Sequence, residues 1–486
     1  MISAMVFFPL LFALVLLCVP RDNGPLLKGV ALAGALGTFA ISLVLLPLAP
    51  GGVVQDSLNW INGAVGAAYH VRVDGISLWF VLLTTFVTVP AVWAAFAYRD
   101  AARLRGYLSL LLLFEWTLLG LFTADDLLLF YIYWDLMLIP VFLALVGFAG
   151  TPQARRAAWT YLIYNLAGGL VLLAGVIGLV LQTHTFEVLG HGYHLSPELA
   201  RWLFAAFALA FLIKTPVFPL HAWMPPTYTQ SPPSLVAMVS GVQSKAGLYA
   251  FIVFAMPLFP EAAHYFAPAM LVIAVCSILY GALLAIAETN AKTLVAYSSL
   301  SHLGFVLLAL FAFNFTSLPA SILMIVSHGI IAAALFTLLG FIEDRVGTND
   351  LGAYGGLAAG APRLAVFMLI AAMAALGLPG LSGFAGEFLI LIGAWQTQPV
   401  YTSLALIAVV LAAVYALRLF QGAMHGPLRE PAGVGPIADL RPREFWLVVP
   451  LLAAIFFLGI WPAWLNDRIP LPSQAASSHA ATVERS

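Results

Sequence analysis

The chain has 486 residues, of which 63% are hydrophobic and 8% charged, and its mean hydropathy is +1.01; that excludes a soluble globule, whose apolar share is nearer half. A net charge of −1 leaves no basic surplus for nucleic acid, so electrostatic function has to be sought in single buried charges. The composition predicts an all-α membrane protein that crosses the bilayer many times.

The opening MISAMVFFPLLFALVLLCVP has no basic residue ahead of its apolar core and no small-residue cleavage pattern, so it reads as a first span over 2–19 rather than a removable signal. Further runs of spanning length follow at 26–48, 77–98, 107–123, 126–149, 157–182, 201–220, 234–258, 265–287, 293–313, 317–342, 364–398, 402–424 and 443–463, about fourteen in all. Between the second and third, Gly51 to Val73 carries no span, and its VVQDSLNW and YHVRV pieces alternate as short extended segments do. Arg21, Lys28, Arg99, Arg103, Arg105, Arg155, Arg156, Lys292, Arg345, Arg363, Arg429, Arg441 and Arg443 fall at the loops that join odd to even spans, against Arg72, Arg201, Arg468 and Arg485 at the others. This bias puts the first set in the cytoplasm and both termini outside. Cys18 and Cys276 lie in apolar spans and supply neither a disulfide framework nor an iron–sulfur ligand set, so no redox centre is expected in this chain. His184, His191 and His194 share an outer loop without carboxylate or cysteine company, which favours ordinary loop histidines over a metal site.

Charges inside the spans are few. Glu115 lies in the fourth (LLLFEWTLLG) and Asp135 in the fifth (YIYWDLMLIP). Lys214 lies in the seventh, FLIKTPVFPLHAWMPP, where Pro216 and Pro219 deprive the carbonyls of Leu212 and Thr215 of their helical donors. Such a break is tolerated at membrane depth only against protein or a wet cavity. An ionisable residue on it is a functional-site candidate. A lysine snorkelling from a helix end is the competing reading, and it fits poorly because the apolar run reaches back to Trp202. Lys245 lies in the eighth span, with Gly241 and Tyr249 one turn to either side. Ser298, Ser299 and His302 share a face of the tenth, and Ser321 and His328 stand seven apart on the eleventh. Each alone could be a satisfied core polar group; acid, base and hydroxyl on successive helices are the make-up of a proton relay.

The twelfth span, LGLPGLSGFAGEFLIL, repeats the device of the seventh: Pro379 frees the carbonyl of Ala375, Gly377, Gly380, Gly383 and Gly386 interrupt the run, and Glu387 follows. Close helix packing explains the glycines but leaves Glu387 without a reason to be there. Two proline-interrupted spans five apart, each with one buried charge, are the pattern of inverted repeats. We expect repeats over 107–258 and 259–424, flanked by a three-span unit over 1–106 and a final span with an outer tail over 425–486.

YHVRVDGISLWFVLLTT, FYIYWDLMLIPVFL, FLIKTPVFPLHAWMPP, KAGLY, LVAYSSLSHLGFV, SHGIIAAALF, YGGLA and GLSGFAGEFLIL resemble, in order and spacing over most of residues 69–448, the antiporter-like M-subunit family of bacterial respiratory complex I, NADH-quinone oxidoreductase. The resemblance implies about fourteen transmembrane helices, two inverted five-helix repeats and discontinuous seventh and twelfth helices. It implies a proton-translocating membrane-arm subunit in which Asp135 stands at the fifth-span glutamate, Lys214 and Lys245 at the two lysines, Glu387 at the exit glutamate and Glu115 at the accessory acid. The route would run from Lys214 through Lys245 and the His302/His328 region to Glu387, with Asp135 switching Lys214 by approach and withdrawal. By the same likeness this chain holds no cofactor, FMN and iron–sulfur clusters belong to partner subunits, and quinone binds elsewhere. Its partners would be the L- and N-type antiporter-like subunits and small membrane subunits, in the bacterial cytoplasmic membrane. L and N types usually place lysine where this chain has Glu387, which favours the M type. Asp135 departs from the family's glutamate, and Pro226 and Tyr228 in MPPTYT replace the acid and histidine of an LPDAHT-like segment. Other readings are a subunit of a multisubunit Na+/H+ antiporter or membrane hydrogenase complex, a stand-alone transporter, and a non-transporting scaffold.

Overall fold

In hydrocarbon a chain can pair its own backbone groups only within helices or a closed barrel, and the apolar runs accordingly fold as helices. The computed structural model describes residues 1–49, 52–61, 67–98, 101–187, 195–353, 355–427 and 437–469. Arg99, His191, His194, Tyr354, Arg429, Arg485 and the tail from 470 lie outside the described residues. Among those described, eleven helices are long and apolar enough to cross a membrane, and two further apolar helices are shorter.

Helix α1 (Ile2–Cys18) and α2 (Gly24–Val44, started by the Asn23 side chain on the Leu26 N–H) lead into a hairpin of β1 (Val54–Ile61) and β2 (Ala67–Val73). The strands run antiparallel with Val54 opposite Val73 and Asp56 opposite Val71. The chain is therefore mostly rather than wholly helical, and the alternating segments of the outer loop pair with each other. Asp56 ties the hairpin to α1 by accepting from the Ser3 N–H and the Met1 amine, each at 2.9 Å. The Ser3 N–H above all holds the Asp56 carboxyl below its ordinary value.

Then come α3 (Ser77–Ala95), α4 (Ala101–Thr123), and a fifth span in two pieces, α5 (Leu127–Leu136) and α6 (Leu138–Phe148). Pro140 offers no N–H to the carbonyl of Leu136, where the first piece stops. Helix α7 (Pro152–Thr183) precedes the seventh span, which is broken as expected: α8 (Pro197–Lys214) ends at the lysine, residues 215–223 are not helical, and α9 (Met224–Gln230) resumes beyond them. The eighth span, expected to be continuous over 234–258, is also interrupted. It consists of α10 (Pro233–Gly241), a 3₁₀ turn (Gln243–Lys245), α11 (Ala246–Ala250), a π-helical turn (Phe251–Ala255) and α12 (Met256–Leu258). Pro257 supplies no donor to the carbonyl of Val253, inside the π turn.

The rest of the bundle is α13 (Pro260–Ala287), α14 (Ala291–Phe311), α15 (Ser317–Val346), α16 (Leu357–Gly360), α17 (Pro362–Leu376), α18 (Ser382–Thr397), α19 (Pro399–Met424), α20 (Pro442–Ile460) and α21 (Ala463–Asn466). The twelfth span is parted between α17 and α18, where Gly377 and Gly380 adopt φ of +81° and +92°, a conformation open to glycine. Helix α15 is the axis of the molecule, packed on α3, α10, α14, α17, α18 and α20. Glycines let neighbouring backbones close on both breaks. A Cβ at Gly247 of α11 would collide with the Phe211 carbonyl and Thr215 at the end of α8, and one at Gly459 of α20 with Gly380 and Leu381 between α17 and α18.

Candidate functional site

Two of the buried lysines, Lys214 and Lys245, are held alike. Lys214, 1% exposed, ends α8, and its Nζ donates to the Trp134 carbonyl at 3.2 Å while lying 4.7 Å from the centre of the Trp134 ring. Lys245 closes the 3₁₀ turn of the eighth span, and its Nζ donates to the Ser240 carbonyl and to Ser244 Oγ, the latter at 3.1 Å. Trp134 is in the last turn of α5 and Ser240 in the last turn of α10. Carbonyls there have lost their helical donors and carry the negative end of the helix dipole, so each ammonium sits where an interrupted helix offers compensating charge.

Asp135 follows Trp134 but turns its carboxyl onto α7, where a Cβ on Gly169 would stand 2.8 Å from the Asp135 Cγ. Its Oδ1 is buried with no hydrogen-bond partner among the described residues. Among the described residues no ion pair within 4.0 Å joins it to Lys214. The pair expected from sequence thus meets only through Trp134, whose carbonyl takes the Lys214 ammonium, and is open in this structure.

A second cluster forms where α14, α15, α18 and α19 meet. His302 Nδ1 is 2.8 Å from Glu387 Oε1, though not aligned as a hydrogen bond, and its Nε2 is 3.2 Å from the Tyr415 hydroxyl. The His302 and His328 ring centres are 5.3 Å apart. Glu387 folds back over the break, so that a Cβ on Gly377 would be 2.9 Å from its Oε2. Ser298, Ser299, His302 and His328 line a small cavity with about 10 Å³ for the centre of a water, roughly one molecule's worth. His328 Nδ1 is buried without a partner among the described residues. Gly241 of α10 rests on α15 beside His328, since a Cβ on it would be 3.1 Å from the Gly329 carbonyl. That contact sets the Lys245 turn next to the histidines. Ser321 instead donates to the Leu318 carbonyl at 2.7 Å.

Residues 124–412 match the family model described as NADH:quinone oxidoreductase/Mrp antiporter, TM. The chain belongs to that family. It is 38% identical over 471 residues to NADH-quinone oxidoreductase subunit 13 of Thermus thermophilus, covering 96% of both chains. It is 34% identical over 491 residues to NADH-quinone oxidoreductase subunit M of Rhodobacter capsulatus, covering 96% of this chain and 94% of that one. A chain of respiratory complex I from Thermus thermophilus with bound NADH superposes with a TM-score of 0.87 at 35% identity, over 96% of this chain and 98% of that one. The antiporter-like complex I subunit fold read from motifs therefore extends over nearly the whole chain.

Within this member of the NADH:quinone oxidoreductase/Mrp antiporter family, Glu115 lies fully buried on α4; among the described residues neither of its oxygens has a hydrogen-bond partner and no polar contact joins it to the other candidates. The departure at Tyr228 is filled by packing: the ring is buried edge-on to Phe336, with centres 5.7 Å apart. Sequence reasoning passed over His221, inside the seventh break, whose Nδ1 is buried without a partner among the described residues and whose ring faces Tyr280 at 5.5 Å and Tyr297 at 6.3 Å. Its place between Pro219 and Pro225 was the available signal. Tyr415 carried none, because only the packing of α19 on α14 brings it to His302.

Proposed function

We propose that the chain is a proton-translocating, antiporter-like membrane-arm subunit of NADH:quinone oxidoreductase, in which Lys214, Lys245, His328, His302 and Glu387 carry protons, Asp135 switches Lys214, and Glu115 is an accessory acid. One observation supports this most: three interrupted spans bring two lysines and a glutamate to protein-lined breaks, and the middle one adjoins the His328 cavity. Lys214 on the Trp134 carbonyl with Asp135 turned to Gly169 corresponds to the withdrawn arrangement. Swinging the carboxylate to about 4 Å would add roughly 4 kcal/mol of attraction at an effective dielectric of about 20, which favours the protonated lysine; withdrawal favours release. The proton would then pass by Lys245 and the two histidines to Glu387.

In this reading the chain crosses the membrane fourteen times, with α5–α6, α8–α9, α10–α12 and α17–α18 each forming one crossing, and its repeats span 107–258 and 259–424. The arginine-rich end faces the cytoplasm of a bacterium and both termini lie outside. Moving a proton against 100 mV takes about 2.3 kcal/mol. That drive would come from redox chemistry in partner subunits bearing FMN and iron–sulfur clusters, with quinone bound elsewhere and no redox centre in this chain. Neighbours would be L- and N-type subunits and small membrane subunits. The family description also covers Mrp antiporters, and the subunits that co-purify in mild detergent separate the two assemblies. The deciding experiment is Lys214→Ala and Glu387→Gln in the complex, read by proton pumping and quinone reduction in membrane vesicles. Both variants should assemble and lose most pumping; an assembled variant that pumps normally removes that residue from the relay.

A further inference from the structure

One buried cation stands apart from this relay. Lys292, the second residue of α14, is 2% exposed, and its Nζ lies 2.5 Å from Glu343 Oε2 and 3.4 Å from the Ser231 carbonyl. Glu343, in the last turn of α15, keeps 34% of its side chain exposed, and its Oε1 accepts from Asn349 Nδ2 at 2.7 Å. The pair is asymmetric: the cation is sealed inside while its carboxylate reaches solvent, at the end of the bundle that carries the arginines.

Helical spacing leads inward from it. Lys292, Val295, Ser299 and His302 succeed one another at three- and four-residue steps on one face of α14, and Glu343, Leu339, Leu335 and His328 at steps of four and seven on one face of α15. The two helices pack together, and Val295, Ser299, His302, Leu335 and His328 line the cavity already described. From Lys292 to Val295 the helix rises only about 4.5 Å. The ion pair thus sits on the seam one turn along α14, and about 12 Å along α15 from Leu335 to Glu343, outside a cavity in which His328 Nδ1 has no partner among the described residues.

We propose that Lys292 and Glu343 form a proton-uptake gate on the α14–α15 seam, feeding His328 from the arginine-rich end without passing Lys214. Glu343 takes a proton from bulk water, which neutralises its carboxylate and ends its attraction for Lys292. The lysine falls back on the Ser231 carbonyl and opens the seam. A water in the seam accepts that proton from Glu343 and passes one to His328 Nδ1, an O–H bond breaking at each donor and an N–H bond forming, with no electron moved. Glu343 is left ionised and closes on Lys292 again.

The inference rests on the relay reading, and its test separates the two. In membrane vesicles holding the assembled complex, Glu343→Gln should lower pumping about tenfold, equivalent to roughly 1.4 kcal/mol on the rate, while Glu343→Asp keeps most of it. The exchange Lys292→Glu with Glu343→Lys should restore assembly, as judged on native gels, but not pumping, since the solvent-reaching position then holds a lysine. Normal pumping by the exchanged pair means a clamp between helices and overturns the gate, as does normal pumping by Glu343→Gln. Should Glu343→Gln fail to assemble, the exchanged pair decides alone. Lys214→Ala measured alongside tells the readings apart: loss there with no loss at Glu343 sinks only the gate, and no loss there sinks the relay.

Discussion

Gly169→Ala tests whether Asp135 has a resting place against α7. The new methyl would occupy the position of Oδ1 and approach the Asp135 Cγ to 2.8 Å, so the carboxyl has to leave. It is the free end of a short side chain, and forcing it from its rotamer costs about 0.5–1.5 kcal/mol. Replacing glycine in a helix returns up to about 1 kcal/mol, so assembly should barely change. Function should change more. A carboxylate that cannot withdraw remains near Lys214 and keeps the ammonium loaded; if only a third of the roughly 4 kcal/mol attraction at 4 Å persists, release slows about tenfold. The adjacent Gly168→Ala is the control, because its Cβ would meet Ile213 Cδ1 at 3.3 Å, a contact relieved by a few tenths of an ångström. Pumping in vesicles, with assembly followed on native gels, measures both. Equal, parental pumping by the two alanine variants would refute the resting-place argument.

The remaining predictions concern charge, packing and orientation. Asp135→Asn should assemble and lose most pumping, whereas Asp135→Glu, whose extra reach of about 1.5 Å alters the Coulomb term by about a quarter, should keep most of it; a fully active asparagine variant would make Asp135 structural. Gly247→Ala and Gly459→Ala should each reduce the amount of assembled complex, since their methyls meet backbone at the two breaks and overpacking costs about 1–3 kcal/mol. Gly24→Ala, with nothing within 4 Å, should leave it unchanged on the same gels. A reporter active only outside the cytoplasm should respond when fused near Ser196 and stay silent near Arg155 or Arg441, and the reverse pattern overturns the orientation.

What could be read in advance was whatever left a local chemical mark. Proline and glycine announced the breaks after Lys214 and Leu376 because they remove donors or permit positive φ where they stand. The interruption at Gln243–Lys245 left no such mark inside the turn itself, and its cause is shared with close packing of Gly241 on Gly329. Pairings across helices were hidden for a different reason. Nothing near Lys214 says that its ammonium takes a main-chain oxygen from Trp134, because any residue there would offer the same carbonyl. His302 and Glu387 were both legible as polar groups in apolar runs, yet their meeting depends on how α18 leans on α14. The hairpin was visible as alternation, but its partner strand and register were not.

Helix α15 is among the most apolar of the spanning helices, although its membrane-length stretch is enclosed by protein. Lipid contact in the finished molecule cannot be the reason for that apolarity. Packing against neighbouring helices accounts for it in the folded molecule, and it also suits synthesis, when the segment enters the bilayer before α17, α18 and α20 exist. The segment from Pro233 to Leu258 is almost as enclosed and is the least apolar of the eleven, and it carries Lys245, for which insertion at mid-helix costs roughly 2.5–3.5 kcal/mol. Unaided entry into the bilayer therefore costs the second segment more than the first. Helices already in place lower that cost by covering the segment, and with it the lysine at its centre.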